Sequence, residues 1–397
     1  MARKEFDLLF IGGSFAGLSG ARTAALRGLK VGVIDAKPEP GAQLRTTGIL
    51  VKEATDDFDV PAHLMRKIRG VRMYAPDGRA LDLSAPGYYF QATDTAELLR
   101  WMAAEARFAG ADLMYGTRFE SAQERNSGIE LPALGIRTRF LIGADGARSR
   151  VAELFGLGRN RRFLVGAEIG CEPLPTIDPR FLHCFADSEL APGYIGWVVP
   201  GHGMTQIGIA ARRTKKPELS ALIERVKSIF GMKRLHVIER RSGLIPTGGP
   251  VANLGRGRVL LIGDAAGLVS PLTGGGIHTA LSLGRRAAQI VGDYLCDRGE
   301  LPASAFAREI PRHRLKRLLR TAMDLAPPNA LINAALMTGP ARALAQRIYF
   351  HRRGTTETFE SWSAAFARDE MDPPANELGN ESTFDLNSVT KITAVIV

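Results

Sequence analysis

Three cysteines in 397 residues, Cys171, Cys184 and Cys296, are too few and too scattered for a disulfide framework or a paired CxxC motif, so a reducing cytoplasm is the expected setting. The seven histidines show no metal-ligand spacing, which leaves no candidate metal site. No uninterrupted apolar run reaches the roughly 18 residues of a membrane span. The first apolar strand begins almost at the initiator Met, so no signal peptide is expected. The basic clusters lack interleaved aromatics for base stacking, which argues against a nucleic-acid partner. There is no internal repeat. What the chain does carry is a net charge of +11 and 45% hydrophobic residues over a length that suits two or three domains. A basic excess serves an anionic cofactor, an acidic membrane surface or nucleic acid, and charge alone does not choose.

The stretch FDLLFIGGSFAGLSGARTAALRGLKVGVID, Phe6 to Asp35, organises the chain. An apolar run from Phe6 to Ile11 reads as a buried strand, a small-residue helix follows from about Phe15 to Leu26, and a second apolar run, Leu29 to Ile34, ends in Asp35. This is the strand, tight turn and helix of a dinucleotide-binding βαβ unit. Gly12 and Gly17 take the first and third glycine places and Ser14 the second. The helix start offers N–H groups to a pyrophosphate, and Asp35 is placed to accept ribose hydroxyls. The plainer alternative is a purely structural turn.

Beyond Asp35 a loop from Lys37 to Leu50 contains Arg45 and Gly48; Arg45 reads either as a contact to a phosphate or flavin edge or as a solvated surface arginine. A short helix is expected over Val60 to Arg69, then a hairpin, Val71 to Ala75 and Arg79 to Leu83, with a third strand at Tyr88 to Gln91. Asp94 to Glu97 is a capping box opening a helix to about Ala109. A buried strand in RFLIGADGARSRV ends at Asp145-Gly146, where the acid reads as a ribose contact or as the cap of the next helix. Leu164 to Glu172, Phe181 to Asp187, Tyr194 to Pro200, Met204 to Arg212 and His236 to Leu244 read as strands of an antiparallel sheet, with a helix over Pro217 to Phe230. Tyr194 and Trp197 lie on one of them, as core packing or as substrate contacts.

The segment RVLLIGDAAGLVSPLTGGGIHTALSLGRRAA is the third landmark. Its strand ends in Gly263-Asp264, Pro271 and the triplet Gly274-Gly275-Gly276 follow, and a long helix begins near Ile277. Glycine-rich backbone at a helix start places N–H groups and the dipole's positive end against an electron-rich ring, which suits a flavin. From Leu301 basic residues, Arg308, Arg312, Arg314, Lys316, Arg317 and Arg320, crowd one helix between leucines, reading as a membrane-surface helix or as an ordinary solvated face. A polar tail is expected from about Asp372.

Taken in this order, the three landmarks resemble the flavoprotein group that includes p-hydroxybenzoate hydroxylase and the geranylgeranyl reductases, over roughly residues 5 to 300. GDAAGLVSPLTGGGI is similar to the reductase signature GDAAGxxxPxTGxGI, and Trp197-Val198-Val199-Pro200 resembles the end of its YxWxFP substrate motif. There are departures: Ile195 stands at the motif tyrosine with Tyr194 one place early, Val199 replaces phenylalanine, and Thr47-Gly48 replaces a Cys-Gly pair. The resemblance implies an α/β fold. A discontinuous Rossmann-like FAD-binding domain (1–70, 92–160 and 250–300) would carry an inserted antiparallel-sheet substrate domain (71–91 and 161–249). A C-terminal helical region (301–371) and a tail (372–397) would follow. It implies FAD held by Gly12, Ser14, Phe15, Ala16, Gly17, Asp35, Ala36, Arg45, Gly48, Asp145, Gly146, Gly263, Asp264, Pro271, Gly274, Gly275, Gly276 and Ile277, with Tyr194 and Trp197 positioning an apolar substrate. The expected chemistry is hydride transfer from reduced FAD to an isoprenoid carbon–carbon double bond, with NAD(P)H a candidate electron donor and Tyr194 or water the proton donor. The alternatives are an aromatic monooxygenase on the same fold and a non-catalytic FAD- or lipid-binding protein. The expected location is cytoplasmic, with peripheral contact to the inner membrane face through the carboxyl-terminal region.

Overall fold

In a computed structural model of the chain, residues 4–310 and 314–350 are described. The first apolar run forms the Lys4–Ile11 strand at the centre of a sheet ordered Gly255–Arg256, Val259–Leu261, Ile136–Gly143, Lys4–Ile11, Val31–Asp35 and Asp112–Tyr115. The last five of these run parallel. A central parallel strand covered by helices has no wet face, and Leu8, Leu9 and Phe10 are fully buried, each contributing about 1.5–3 kcal/mol. The Phe15–Leu26 and Ile277–Leu295 helices pack together through small residues. A Cβ added to Gly284 would stand 2.3 Å from the Ala16 carbonyl oxygen, so only glycine permits this approach.

A second sheet of seven strands is ordered Val237–Pro246, Phe163–Cys171, Thr205–Arg212, Gly196–Pro200, Phe181–Phe185, Gly70–Tyr74 and Ala80–Ser84. Its neighbours pair antiparallel except Phe181–Phe185 with Gly70–Tyr74. The Leu219–Ile229 helix covers it through Leu222 and Val226. The fold is therefore α/β: a discontinuous Rossmann-like unit carrying an inserted, largely antiparallel sheet.

Several local expectations fail, each where a distant partner overrides local pattern. The helix expected over Val60 to Arg69 is a single 3-10 turn at Ala62–Leu64 followed by a strand, Met65–Ile68. That strand and Ile49–Val51 pair with Phe90–Thr93 in a separate three-stranded sheet, so the strand expected at Tyr88 to Gln91 does not extend the hairpin. A short helix, Lys52–Asp57, carries no apolar period because only Ala54 is buried. Tyr194 lies before its strand, which begins at Gly196. The capping box is as expected: the Asp94 side chain accepts from the Glu97 N–H at 3.1 Å and opens the Thr95–Phe108 helix.

The single basic helix expected after Leu301 is two, Pro302–Glu309 and Arg314–Asp324, followed by Asn329–Leu336 and Gly339–Phe350. Phe350 is fully buried, its ring 5.6 Å from Tyr88 and 5.7 Å from Phe90, and the Gln346 amide donates to the Ser84 carbonyl at 2.6 Å. These contacts fasten the helices to both smaller sheets. The expected tail from Asp372 lies outside the described residues.

Candidate active site

The three separated landmarks meet at one end of the parallel sheet. Gly12, with φ +111°, lies against the middle turn: an added Cβ would stand 2.3 Å from the Ala144 carbonyl oxygen and 3.1 Å from the Asp145 nitrogen. Gly17 packs on the first turn, where a Cβ would fall 1.9 Å from the Gly12 oxygen. Gly263 faces the same helix start, 3.1 Å from Ala16 by the same construction. Asn160 joins the other two turns by donating to the carbonyls of Ala147 at 3.1 Å and Asp264 at 2.8 Å. Sequence distance is therefore no guide here; close backbone approach is.

Within this cluster two helices begin without a side-chain cap. Ser14 occupies the N-cap position of the Phe15–Leu26 helix in extended backbone, and its hydroxyl makes no capping bond. Gly276 is the N-cap of the Ile277–Leu295 helix and has no side chain to cap it. Uncapped starts leave N–H groups and positive partial charge for an anionic or electron-rich group. Asp35 accepts from the Gly13 N–H at 2.7 Å and the Lys37 N–H at 2.8 Å, which fixes its carboxylate at the strand end, and Ala36 beside it is exposed. Asp264 is half-buried and accepts no side-chain hydrogen bond among the described residues; burial pushes its carboxyl up to about 6. Its Oδ1 would lie 3.7 Å from a Cβ on Gly276. Pro271 is buried, and Gly274 and Gly275 close a tight turn in which Gly274 N–H donates to Ser270 at 3.0 Å and Ser270 N–H donates to Gly275 at 2.9 Å.

Asp145 takes the cap reading. Its Oδ2 accepts from the N–H groups of Arg150 at 2.7 Å and Val151 at 3.0 Å, and its Oδ1 accepts from the Ser149 hydroxyl at 2.7 Å. Burial raises this carboxyl while those bonds pull it down. Gly146 beside it has φ +84° and open space around it. Arg45 is exposed and makes no ion pair among the described residues, and Gly48 is wedged against Thr93 and Thr95. An uncapped pair of helix starts, a half-buried carboxyl that accepts no hydrogen bond among the described residues and turns that only glycine fits are features that suit a dinucleotide.

On the sheet side, the Tyr194 hydroxyl donates to the Thr273 carbonyl at 2.5 Å, tying the sheet to the glycine turn. Burial raises this phenol, and the Arg320 guanidinium stands 5.9 Å from its ring. Arg320 is only 2% exposed, donating to the Gly193 carbonyl and to Asp324. It belongs to neither a solvated nor a membrane-facing basic surface. The Trp197 indole lies over Gly208 and donates at 2.8 Å to Oε2 of Glu168. The same oxygen accepts from the Thr47 hydroxyl at 2.6 Å. Arg241 stands 3.6 Å from Glu168 Oε1, pairs with Glu239 and donates to the Thr46 carbonyl at 3.0 Å, while Gln206 donates to the Thr47 carbonyl at 2.9 Å. Glu168 is 5% exposed, and burial holds its carboxyl above the ordinary range against the pull of Thr47, Trp197 and Arg241.

Beside this network a cavity of about 400 Å³ is lined by Gln43, Leu44, Thr93, Arg100, Met204, Gln206, Glu239, Arg240 and Arg241, among others. None of the sequence-predicted site residues lines it. Sequence reasoning also missed Asn160, Tyr115, whose hydroxyl donates to the Gly13 carbonyl at 2.9 Å, and Glu168. The available signal for Glu168 was a lone acid in the apolar strand LVGAEIGC.

The chain matches the FAD binding domain family over residues 5–290 and belongs to it. It is an FAD-dependent oxidoreductase. It is similar to the geranylgeranyl diphosphate reductase of Rhodobacter capsulatus, 30% identical over 73% of this chain and 76% of that one. It is also similar to digeranylgeranylglycerophospholipid reductase 2 of Methanopyrus kandleri, 26% identical over 73% and 78%. Among solved structures, a geranylgeranyl bacteriochlorophyll reductase-like protein from Thermoplasma acidophilum superposes with a TM-score of 0.74 at 22% identity, covering 88% of this chain and 97% of that one.

Proposed function

We propose that this chain reduces carbon–carbon double bonds of an isoprenoid or similarly apolar substrate, the FAD supplying hydride when bound and reduced. The observation that carries the reading is the convergence of three turns, near residues 12, 145 and 264, in a chain similar to reductases named for geranylgeranyl substrates. In this reading the uncapped helix start at Ser14, Phe15 and Ala16, with Gly12 and Gly17, receives the pyrophosphate, and Asp35 with Ala36 lies at the adenosine end. Asp264 accepts a hydroxyl of the dinucleotide chain that its own fold does not provide. Arg45, Gly48 and the turn from Pro271 to Ile277 border the ring, with the helix start favouring negative charge there. Asp145 and Gly146 act by shaping the middle turn. Trp197, held by Glu168, and Tyr194, held by Thr273, present an aromatic wall to the substrate.

NAD(P)H is the proposed electron donor. Contact with a membrane surface is supported by Leu318, Leu325 and Leu331, exposed by 68%, 79% and 57% beside the exposed Arg317. No helix among the described residues is long and apolar enough to cross a membrane.

The test is anaerobic incubation of the flavin-loaded, dithionite-reduced protein with prenyl diphosphates and prenylated glycerolipids, followed by mass spectrometry. A product two hydrogens heavier, formed in amount equal to the flavin oxidised and lost in Trp197→Ala, is expected. A product one oxygen heavier, formed only in air, would establish the monooxygenase alternative instead.

A further inference from the structure

Resting on the proposed double-bond reduction, we infer that Glu168, acting through the Thr47 hydroxyl, holds and delivers the proton which that reaction consumes. Reduction of an alkene forms two C–H bonds, one from hydride and one from a proton, and a shielded site needs a group that keeps its proton until the hydride arrives. Other buried groups are placed or committed elsewhere: the Tyr194 hydroxyl is given to the Thr273 carbonyl, the Asp145 carboxyl accepts from Ser149, Arg150 and Val151, Asp187 pairs with Arg225, and Asp264 lies in the turn cluster of the parallel sheet. Glu168 differs. It is buried in the middle of a strand, and its Oε2 accepts from the Trp197 indole and lies 2.6 Å from the Thr47 oxygen; the hydrogen of that contact runs from Thr47 to the ionised carboxylate and from Glu168 to Thr47 when the carboxyl is protonated. Trp197, which shares Glu168 with Thr47, belongs to the segment read as substrate-facing.

The balance is as follows. One alkene carbon takes hydride from the reduced flavin, which is oxidised by two electrons. The π pair forms the second C–H bond with the Thr47 hydroxyl proton as the Glu168 proton passes to the Thr47 oxygen, so that no free alkoxide is formed. Thr47 regains its proton from Glu168, and the resulting carboxylate is stabilised by the Trp197 indole N–H and by Arg241. Water then restores Glu168 by way of the cavity whose lining includes Arg241, Gln206 and Glu239, residues that touch the pair or stand beside it. The charged groups that bear on Glu168 are Arg241, which favours the carboxylate, and Glu239, which favours the acid.

Two measurements on the full-length flavin-loaded protein test this. Infrared difference spectra between wild type and Glu168→Gln across pH should show a protonated-carboxyl band that persists above the ordinary glutamate range of about 4.3. Prenyl reduction should be slowed about 100-fold in Glu168→Gln and Thr47→Val. It should be largely restored in Thr47→Ser, and the wild-type decline of rate toward alkaline pH should vanish in Glu168→Gln. A Glu168→Gln enzyme with the wild-type rate and pH profile, or a Glu168 ionised throughout the range, overturns the relay while leaving the reductase reading intact. A wild type that reduces no prenyl substrate overturns the function on which the relay rests, whatever the infrared band shows.

Discussion

The turn cluster at the helix starts and the Glu168 network on the antiparallel sheet are built from opposite materials. The first consists of glycines, alanine and backbone, with an Asp264 carboxyl that accepts no hydrogen bond among the described residues; the second consists of long side chains, Glu168, Trp197, Arg241 and Gln206, that bond one another and a loop from four strands. A site made of absent side chains is shaped for something else to fill it. A site made of side chains already bonded to one another leaves less for a ligand to supply and changes state by gaining or losing a proton.

The contrast can be broken at four places. Gly17→Val should do most damage, because its first added carbon would fall 1.9 Å from the Gly12 oxygen; a loss of about 4 kcal/mol or more and a colourless protein are expected by urea titration and visible absorbance. Arg241→Met should cost about 3 kcal/mol at pH 8, since it leaves Glu168 and Glu239 facing each other without a cation. That penalty should shrink as the pH is lowered and Glu168 takes up a proton, and a pH-independent penalty in denaturant melts would count against the raised carboxyl.

Asp264→Asn should act in the opposite sense in flavin-free protein. The folded carboxyl titrates at about 6 against an ordinary 3.8, so its contribution is fully present below about pH 4 and is lost as pH rises through 6. Asparagine removes that loss, and a gain of about 1–2 kcal/mol at pH 7 is expected after allowing for partial solvent screening. FAD affinity should fall in the same variant. Asp145→Ala should have the smallest effect, about 1 kcal/mol from the lost bonds to the Arg150 and Val151 N–H groups, since Ser149 still caps the Arg150–Leu154 helix. Its flavin dissociation constant, measured by fluorescence, should change less than that of Asp264→Asn.

The two regions also differ in how far they could be read from the residues. The Phe6 to Asp35 unit and the Gly263-Asp264 turn were legible because their periodicity, glycines and terminal acids lie within one continuous stretch. Asp145 was legible only as a choice between a ribose contact and a cap, and the structure adds its bonds to Ser149, Arg150 and Val151. The Glu168 network was not legible: its members come from residues 46–47, 168, 197, 206 and 239–241, and nothing local says that the loop after the second strand folds back onto that sheet. Met65–Ile68 was misread as helical for the same reason, since its strand partner is Phe90–Thr93. Tyr194 reads as a strand residue, but the strand starts two residues later; its ring still meets Trp197 edge-on at 6.5 Å while its hydroxyl is committed to the Thr273 carbonyl.

Phe350 has a practical meaning for anyone shortening this chain. Its ring closes the gap over Tyr88 and Phe90 from a helix far along the polypeptide, much as a stopper seals a flask. Any truncation made before that residue would wet an aromatic seam between the two smaller sheets, so trimming should begin only beyond it.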